Sequence, residues 1–448
     1  MLNKIKKFIP QSVFAVYHKT LALLANFIYR SPSDKLIVIG VTGTSGKSTV
    51  VYLIAKLLEG AGYKVGAAST IFFKIDKKEW LNDTKMSMVG RFFLQRLISQ
   101  MTKANCQYAL IETTSQGIEQ FRHLGINYDI LVFTNLHPEH IEAHGGFDNY
   151  KKAKLKLFSK LQTDQPKNIA GQEIKKTIIV NLDDEHHPDF LANWAQDKWG
   201  FTLTNQSSDQ ARVVRATDIK LTNQGAEFQI GSTPFRSKLL GPHNLANCLA
   251  ALTVCLTQGI NEIGLAKILA QINGIPGRLE FIEADQKFTV IVDYAFEPEA
   301  VAKLYQAVKL IKHRRLIHLL GSAGGGRDVS RRPKLGELAG QTADYVVVTN
   351  EDPYDEPPDQ IIAAVADGAK AAGKILNQNL FTVSDRRDGI VKALSLAGSG
   401  DLVLITGKGS EQAIVVKNNK KISWDDRQVV KEELIKLRTP KPKSKTKN

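Results

Sequence analysis

The stretch from Lys35 to Gly60 limits the fold of this chain more than any other part of it. "KLIVIGV" is a short apolar run with β-branched residues, which is typical of a buried parallel strand. It leads through the glycine-rich "TGTSG" into "KSTVVYLIAKLLEG", whose apolar residues recur at helical spacing. A strand, a glycine-rich turn and a helix in this order predict a phosphate-binding loop in an α/β domain.

The loop itself spans Gly40–Thr49, "GVTGTSGKST". Its glycines allow backbone N–H groups to turn toward phosphates at the N-terminus of the helix. Lys47 is expected to reach the terminal phosphates, and the Ser48 hydroxyl is expected to bind Mg²⁺. The generic P-loop has a glycine where this chain has Val41. The loop residues predicted to bind ATP are Gly43, Thr44, Gly46, Lys47, Ser48 and Thr49.

Further apolar runs follow the loop and alternate with helical segments. "YALIETTS", "YDILVFTNL" and "KTIIVNLDD" each end in polar residues, as parallel strands do beside a ligand site. The alternation in "GAEFQIG" predicts antiparallel strands between about residues 205 and 236. After the linker "INGIPGRLE", the runs "FTVIVDYA", "RLIHLLGSAGG", "ADYVVVTNED" and "DLVLITGKG" predict a second α/β domain.

These patterns divide the chain into four parts. We predict a basic, amphipathic helical segment over residues 1–34 and a central P-loop ATPase domain with a mainly parallel sheet over 35–276. A C-terminal Rossmann-like α/β domain is expected over 277–436, followed by a basic disordered tail over 437–448. The first segment is expected to pack on the main body, with weak contact to a membrane surface as the alternative.

The net charge of +15 suits an anionic substrate such as a nucleotide. Nucleic acid is not an expected partner, because no basic stripe is interleaved with aromatic residues. The three cysteines lack CxxC spacing, which argues against zinc and disulfides and fits a reducing cytoplasm. No apolar run is long enough to cross a bilayer. We therefore expect a cytoplasmic protein, acting as a monomer.

A series of further motifs follows the loop. They are "IETTSQGIEQFR", "FTNLHPEHIEAHG", "YKKAKLKLF", "NLDD", "GPHNLANCLAA", "GIPGRLE", "VDYAFEP", "RDVSRRPKLGELA", "TNEDPYDEP" and "GKGSE". With "TGTSGKS", they occur in the order found in the Mur ligase family, over about Lys35 to Gln412. The chain resembles that family, and within it the UDP-N-acetylmuramoyl-tripeptide synthetase branch.

The resemblance implies an ATP-dependent amide ligase of peptidoglycan precursor synthesis. In this family a substrate carboxylate takes the γ-phosphoryl group of ATP, and the amine of an amino acid attacks the resulting acyl phosphate, with ADP and phosphate as products. The expected substrates are a muramoyl peptide and an amino acid. ATP and two Mg²⁺ ions are the expected cofactors, since phosphoryl transfer needs charge neutralisation.

The resemblance also implies catalytic roles for Lys47, Glu112, His140 and Lys154. Ser48, Glu112, His140 and Lys154 are the implied Mg²⁺ ligands, Lys154 after carbamylation, which turns an ammonium into a carboxylate-like anion. By its local pattern alone, Lys154 is a solvated helical lysine like its lysine neighbours. His140 alone would be a surface or capping residue.

Other matched positions imply contacts with the nucleotide. Asn244 and Asn247 lie three residues apart on one helix face and resemble the pair near adenine and ribose. By pattern alone, they are polar positions that face solvent. Arg278, Asp293 and Tyr294 are expected to contact the nucleotide from the C-terminal domain.

The muramoyl-peptide precursor is expected to meet a different set of side chains. Ser87, Arg91 and Gln95 are the candidates near the central domain, although their segment "MSMVGRFFLQRL" departs from the family's pattern. Arg327 and Arg332 are candidates for anionic groups of the substrate or of phosphate.

The amino-acid site is expected at Glu351, Asp352, Tyr354, Gly407 and Glu411. Branch members that add diaminopimelate typically read Asp-Asn-Pro-Arg, where the arginine holds the distal carboxylate. This chain has Tyr354 in place of the arginine. An acidic corner without arginine suits an ammonium, so we predict lysine or another diamine. The alternative is a solvated acidic loop.

Two other functions stay open. Only about 34 residues precede the first strand, where the branch carries a uridine-binding domain, so the presence of UDP on the acceptor is undecided. A folylpolyglutamate-synthetase-like ligase fits that difference, whereas "DPYDEP" and "GKGSE" favour the muramoyl-peptide ligase. A Mur-like nucleotide-binding scaffold that acts with a partner is the third reading. The presence of Lys47, Glu112, His140 and Lys154 argues against it.

Overall fold

The computed structural model of the chain describes residues 11–138, 144–326 and 328–438. These residues form two compact units, Met1–Asn273 and Gly274–Asn448. The predictions for His140, for Arg327 and for the tail beyond residue 438 lie outside the described residues.

Helices and strands alternate along the first unit. Its helices are α1 (Gln11–Ile28), α2 (Lys47–Gly60), α3 (Arg91–Lys103), α4 (Ser115–Glu119), α5 (Phe147–Ser159), α6 (His187–Leu191), α7 (Pro242–Thr257) and α8 (Glu262–Gln271). Its strands are β1 (Ile37–Thr42), β2 (Val65–Ala68), β3 (Phe72–Ile75), β4 (Lys78–Leu81), β5 (Tyr108–Glu112), β6 (Ile130–Phe133), β7 (Lys167–Ile169), β8 (Gln172–Ile174), β9 (Thr177–Asn181), β10 (Asp197–Thr202), β11 (Arg212–Arg215), β12 (Thr217–Thr222), β13 (Gly225–Ile230) and β14 (Thr233–Ser237).

The main sheet of this unit has the strand order β11-β10-β9-β6-β1-β5-β2-β3-β4. From β11 to β2 all neighbours are parallel, which confirms the predicted sheet type. The edge strands β3 and β4 are antiparallel. Because the chain enters β1 in the middle of the sheet and continues on both sides of it, the carboxyl end of β1 lies at a topological switch point.

The parallel strands are apolar on both faces because helices cover the sheet on both sides. Val38, Leu131 and Ile178 come from neighbouring strands and are fully buried in one core cluster. Burial of each such side chain contributes about 1.5–3 kcal/mol relative to exposure. The expected antiparallel strands before Arg236 form a separate sheet of the order β12-β13-β14.

Helix α1 packs on the body of the unit, against α3. Ala22 and Ala25 are buried in that contact, while the opposite side of α1 is exposed. No helix in the described part of the chain is both long enough and apolar enough to cross a membrane.

The second unit repeats the alternation of strands and helices. Its helices are α9 (Pro298–Val308), α10 (Arg331–Thr342), α11 (Pro358–Ala371), α12 (Arg386–Leu396) and α13 (Asp426–Arg438). Its strands are β15 (Glu280–Phe281), β16 (Thr289–Val292), β17 (Leu316–Leu320), β18 (Tyr345–Thr349), β19 (Leu380–Val383), β20 (Leu402–Ile405), β21 (Ala413–Val416) and β22 (Lys420–Ser423). The sheet order is β15-β16-β20-β17-β18-β19, parallel except for β15, which agrees with the predicted Rossmann-like domain.

Candidate active site

The predicted phosphate loop joins the carboxyl end of β1 to the first turn of α2. Gly43 and Gly46 have φ values of +149° and +82°, which residues other than glycine rarely adopt. A Cβ on Gly43 would lie 2.0 Å from Thr134 Oγ1. Gly46 is the N-cap of α2 and has no side chain that could cap the first N–H groups. These N–H groups are therefore available to an anion such as a phosphate.

The polar residues that follow β6 hold the loop in shape. Asn135 Oδ1 accepts from the Ser45 backbone N–H at 2.8 Å, and the Asn135 carbonyl accepts from Thr44 N at 2.9 Å. Thr134 Oγ1 donates to the Ser45 carbonyl at 2.7 Å. Both side chains belong to the "TNL" motif, so this motif serves the loop on the neighbouring strand.

Two lysines converge on the loop. Lys47 Nζ donates to the carbonyl oxygens of Gly43 and Thr44 at 3.0 and 2.6 Å. Lys154 Nζ donates to the same Gly43 carbonyl at 2.8 Å and lies 4.5 Å from the centroid of the Tyr150 ring. Lys154 is only 1% exposed, so the reading of it as a solvated helical lysine is wrong.

A small oxygen cluster lies at the start of α2. The Ser48 hydroxyl donates to Glu112 Oε2 at 2.9 Å, and Glu112 ends β5 with 2% exposure. Thr70 adds its backbone N–H at 2.7 Å and its hydroxyl at 2.9 Å to the same carboxylate. Mg²⁺ prefers one or two carboxylates together with hydroxyl, water and phosphate oxygens, so this cluster fits the ion. Thr70 is a neighbour that the sequence motifs did not identify.

Within the described ranges, no three His, Cys, Asp or Glu side chains form a group that could hold a metal ion. Of the ligand set implied by the sequence, Glu112 is the one residue of those types inside these ranges, since His140 is not described. Ser48 and Glu112 are in direct contact, and Lys154 contacts the same loop at the Gly43 carbonyl.

The two asparagines of α7 are buried, and Asn247 contacts the phosphate loop. Asn244 and Asn247 are 6% and 7% exposed. A Cβ on Gly46 would lie 2.3 Å from Asn247 Oδ1, so the side chain of Asn247 touches the loop where α2 begins. Asn244 donates to the Leu240 carbonyl at 2.9 Å, which fixes its amide. The pattern-based reading of these residues as solvent-facing is therefore wrong.

The motif that follows β5 is tied to the start of α5. His144 Nε2 lies 3.1 Å from Ser115 Oγ, and its Nδ1 lies 3.2 Å from Glu119 Oε2. Tyr150 OH lies 3.0 Å from Thr44 Oγ1, which connects α5 to the phosphate loop. His144 thus ties the residues just before α5 to α4.

Two arginines meet beside the N-terminus of α3. Arg91 donates to the Gln120 carbonyl, and Arg122 donates to the Gln120 side chain at 2.6 Å. Burial lowers the pKa of Arg122, and the charge of Arg91 lowers it further, so the two cations are close. The Nε atom of each is buried without a hydrogen-bond partner among the described residues. This arrangement suits an anion, and Arg122 is a residue that sequence reasoning missed.

The other two precursor candidates differ from Arg91. Gln95 is 2% exposed and donates to the Gly125 carbonyl at 2.8 Å, which is a contact of the fold itself. Ser87 is half-buried in the segment before α3.

In the second unit, Arg278, Asp293 and Tyr294 lie together. The Arg278 guanidinium stacks 4.2 Å from the centroid of the Tyr294 ring. Asp293 accepts from the backbone N–H groups of Leu279 and Ala295 at 2.7 and 2.6 Å. Burial raises the pKa of Asp293, although Arg278 and these N–H groups lower it. An aromatic ring and a guanidinium of this kind offer a stacking surface for a planar group.

Lys408 is the centre of a buried ion-pair network in the "GKGSE" segment. Its Nζ lies 2.8 Å from Asp352 Oδ1 and 2.8 Å from Glu411 Oε2, and it donates to the Ala413 carbonyl at 2.6 Å. Although burial alone would lower it, the two carboxylates raise the pKa of the Lys408 ammonium. The prediction of an acidic site free to bind an ammonium is therefore wrong for Asp352 and Glu411, because both are paired with Lys408.

Glu351 differs from these two carboxylates. It is 3% exposed, and its Oε2 has no hydrogen-bond partner in the part of the chain that is described. Burial and then the neighbouring Asp352 raise its pKa to about 7. A Cβ on Gly407 would lie 2.6 Å from this Oε2, so only glycine leaves room at that position. Tyr354 lies nearby in sequence at φ +53°, with its ring over Gly325.

The arginines at the start of α10 are paired with acids. Arg332 lies 2.7 Å from Glu356 Oε2 and is 5% exposed. Arg331, which was not singled out, pairs with Glu297 and lies 5.5 Å from the centroid of the Phe296 ring. Of the two predicted arginines, Arg332 is thus a buried partner of Glu356. Arg327 lies outside the described residues.

Comparison with known proteins agrees with this geometry. Residues 41–255 match the family description "Mur ligase middle domain", and residues 277–409 match "Mur ligase, glutamate ligase domain". The UDP-N-acetylmuramyl-tripeptide synthetase of Borrelia garinii subsp. bavariensis is 38% identical over 94% of this chain and 80% of its own length. The protein of the same name from Roseiflexus sp. is 36% identical, over 93% and 82%. A diaminopimelate ligase of Geobacillus thermodenitrificans is 32% identical, over 94% and 84%.

Solved structures give the same result for the fold. A UDP-N-acetylmuramoyl-L-alanyl-D-glutamate–2,6-diaminopimelate ligase superposes with a TM-score of 0.58 at 28% identity, over 90% of this chain and 79% of its own. A folylpolyglutamate synthase of Mycobacterium tuberculosis superposes with a TM-score of 0.66 at 15% identity, over 88% and 93%, which shows the fold alone. The chain belongs to the Mur ligase family and is an ATP-dependent acid–amino-acid ligase of the ADP-forming class, in peptidoglycan precursor synthesis.

Proposed function

We propose that this chain joins lysine, or another diamine, to the free carboxylate of a muramoyl peptide through an acyl phosphate. The observation that carries the proposal is the buried arrangement at the phosphate loop, where Ser48, Glu112 and Lys154 surround one end of α2. Such an arrangement suits transfer of a phosphoryl group from ATP, because that step depends on positioned phosphates and on neutralised charge.

The residues described above have separate roles in this proposal. When bound, ATP supplies the phosphoryl group and two Mg²⁺ ions neutralise its charge. Lys47 and the N–H groups of Gly46 and Ser48 orient the phosphates. Ser48, Glu112 and His140 hold the ions, together with Lys154 as a carbamate. Asn244, Asn247, Arg278, Asp293 and Tyr294 form the proposed nucleoside contacts.

The muramoyl peptide brings negative charge to the enzyme. The neighbouring guanidiniums of Arg91 and Arg122 fit a carboxylate or phosphate of this precursor, because like charges at close range are stabilised by an anion between them. Ser87 lies in the segment that leads to Arg91, and we keep it as a proposed contact. Gln95 is retained as a support for this segment.

The choice of a diamine rests on Glu351. Its unpartnered carboxylate oxygen is available to an ammonium, whereas Asp352 and Glu411 are held by Lys408. Tyr354 stands where diaminopimelate-adding relatives typically have an arginine. The relatives of 36% and 38% identity have names without diaminopimelate, and those of 31–32% have names with it, which supports the same choice.

The test is phosphate release by the purified chain, measured over a grid of acceptors and amino acids. The acceptors are UDP-linked and UDP-free muramoyl dipeptide and a reduced folate; the amino acids are lysine, ornithine, diaminopimelate and glutamate. We expect release only with a muramoyl peptide, and more with lysine or ornithine than with diaminopimelate or glutamate. Preference for diaminopimelate would remove the role given to Glu351 and Tyr354.

The same grid separates the alternative functions. Release with folate and glutamate would favour the folylpolyglutamate-like ligase, and no release with any pair would favour a scaffold that acts with a partner. A Lys47→Ala variant serves as the blank, because it lacks the loop ammonium. We also propose that the active species is a monomer, which light scattering of the working enzyme measures directly.

A further inference from the structure

We infer that the outer face of α1 docks on an anionic membrane surface and places the ligase at the bilayer. This inference does not depend on the substrates proposed above. It rests on an unusual exposed face of the first helix and on the charge around it.

The exposed face of α1 is mainly apolar. Its large apolar members have exposures between 44% and 80% and are Val13, Val16, Tyr17, Leu23, Leu24, Phe27 and Ile28, with the exposed Thr20 among them. At 100° per residue, they fall within an arc of about 140° on the helix surface. Ala22 and Ala25, which pack on the body of the unit, lie on the opposite side. Phe27, at 80% exposure, is the most exposed of these large apolar side chains.

The charged residues in the sequence up to the end of this helix and just after it have one sign. Residues 1–33 contain Lys4, Lys6, Lys7, Lys19 and Arg30 and no aspartate or glutamate. Lys19 is exposed and lies at one border of the apolar arc, and the exposed Arg30 follows the end of the helix. Helix α3, against which α1 packs, likewise has basic residues and no acidic one.

An apolar arc bordered by cations is the pattern of a helix that lies in a membrane interface. Its apolar side chains enter the acyl boundary, while lysine and arginine meet anionic headgroups. A second copy of the chain fits this face poorly, because a two-fold contact would bring the same basic border against itself. No described helix is long and apolar enough to cross the bilayer, so contact in the plane of the surface is the mode proposed.

The test is flotation of the full-length chain with vesicles of phosphatidylcholine, with and without phosphatidylglycerol. We expect binding to the anionic vesicles that weakens as salt is raised. The double variant Leu24→Ser/Phe27→Ser should lower the partition coefficient at least about tenfold, since it removes exposed apolar contacts. Lys19→Gln/Arg30→Gln should lower binding to anionic vesicles only.

Helix α8 supplies matched controls on a different part of the same unit. Ile263 is 64% exposed and Lys267 is exposed, so Ile263→Ser and Lys267→Gln repeat the two chemical changes there. Both controls should float like the parent chain. Equal flotation of the parent and the α1 double variant, or no flotation of the parent, would overturn the proposal. So would a dimer of the parent that the double variant converts to monomer in light scattering.

Since these side chains face outward, the variants should keep the thermal midpoint and the rate of phosphate release in solution. Flotation needs no ATP and no acceptor, so its result is independent of the ligase assay. Loss of flotation with an unchanged thermal midpoint therefore reports the surface and not the fold.

Discussion

Lys47 and Lys154 share one hydrogen-bond acceptor, the carbonyl oxygen of Gly43, at 3.0 and 2.8 Å. Lys47 comes from the loop's own helix, and Lys154 comes from α5, more than a hundred residues later. Two ammonium groups at one carbonyl repel each other, so conversion of the buried one to a carbamate would remove this repulsion and add an anion for Mg²⁺.

The first prediction concerns this modification. Lys154→Ala should lower phosphate release at least about 10²-fold, because the site loses a charged group aimed at the metal and phosphates. Lys154→Arg should be as inactive, since arginine keeps the charge but does not form the carbamate. Added formate or acetate should restore part of the activity of Lys154→Ala.

Lys156→Ala is the matched control, because Lys156 is an exposed lysine of the same helix. It should behave like the parent chain. Full activity of Lys154→Ala, or of Lys154→Arg, would rule out the carbamate.

The second prediction concerns the carboxylate that Ser48 and Thr70 contact. Glu112→Gln should raise the Mg²⁺ concentration for half-maximal activity about 10- to 100-fold, as loss of a metal-site contact does. Thr70→Val should shift it in the same direction by less, and Thr70→Ser should restore the parent value because it keeps the hydroxyl. A Mg²⁺ titration of phosphate release measures all three. An unchanged Mg²⁺ dependence of Glu112→Gln would exclude this metal site.

The third prediction separates a steric contact from backbone strain. Gly46→Ala should weaken ATP binding at least about tenfold, since its Cβ would lie 2.3 Å from Asn247 Oδ1 and its φ is +82°. Gly62 has a similar φ of +93° and nothing within 4 Å of an added Cβ. Gly62→Ala therefore carries the strain without the contact. Calorimetric titration with a non-hydrolysable ATP analogue should show a loss in Gly46→Ala alone.

The fourth prediction is a pH dependence at Glu351. With its pKa raised to about 7, this carboxyl is neutral below pH 7 and charged above it. If it holds an ammonium, the KM for the amino acid rises as the pH falls through 7. Glu351→Gln should raise the KM at pH 8 and remove this part of the pH profile. Glu283→Gln changes an exposed glutamate of the same unit and should leave the profile unchanged.

The raised pKa of Glu351 also makes the stability of the fold depend on pH. The unfolded chain has the ordinary glutamate pKa, so the folded state binds more protons between that value and 7. Glu351 thus stabilises the fold at low pH, and this contribution is lost as the pH rises through 7. In Glu351→Gln the thermal midpoint should fall less between pH 5 and pH 8 than in the parent. An equal fall in both would exclude the raised pKa.

The fifth prediction concerns the ion pairs of Lys408. Lys408→Met leaves Asp352 and Glu411 buried without their cation, so the free energy of unfolding should fall by about 3–5 kcal/mol. Lys370→Met removes a lysine that is 48% exposed in an ion pair with Asp367, and it should change the free energy by less than about 1 kcal/mol. Denaturant unfolding measures both. A loss of similar size in the two variants would contradict the buried network.

Local patterns predicted the parts of the site that depend on neighbouring residues. The strand, the glycine turn and the helix around Lys47 follow from apolar periodicity. Glu112 lies at the end of a strand, as the apolar residues that precede it predict. The contacts of Thr70 with Glu112 and of Asn135 with Ser45 join segments far apart in sequence. Periodicity carries no information on such pairs.

The sequence pattern also did not predict which polar side chains are buried. Lys154 stands among exposed lysines on α5, and only the packing of Tyr150 and the loop distinguishes it from them. The acidic residues near Glu351 also cannot be told apart by sequence pattern. Two of them, Asp352 and Glu411, pair with Lys408, and the pairing with Asp352 joins segments that are distant in sequence.

The contact between Gly46 and Asn247 has a consequence for synthesis on the ribosome. About 200 residues separate the two positions, and contacts of such long separation form late. The nascent phosphate loop leaves the ribosome well before α7, so it lacks the side chain that touches its last glycine until that helix has emerged. Nucleotide capture would then require synthesis of the chain through α7, and ATP in the cell would act on chains that contain most of the first unit and not on early fragments.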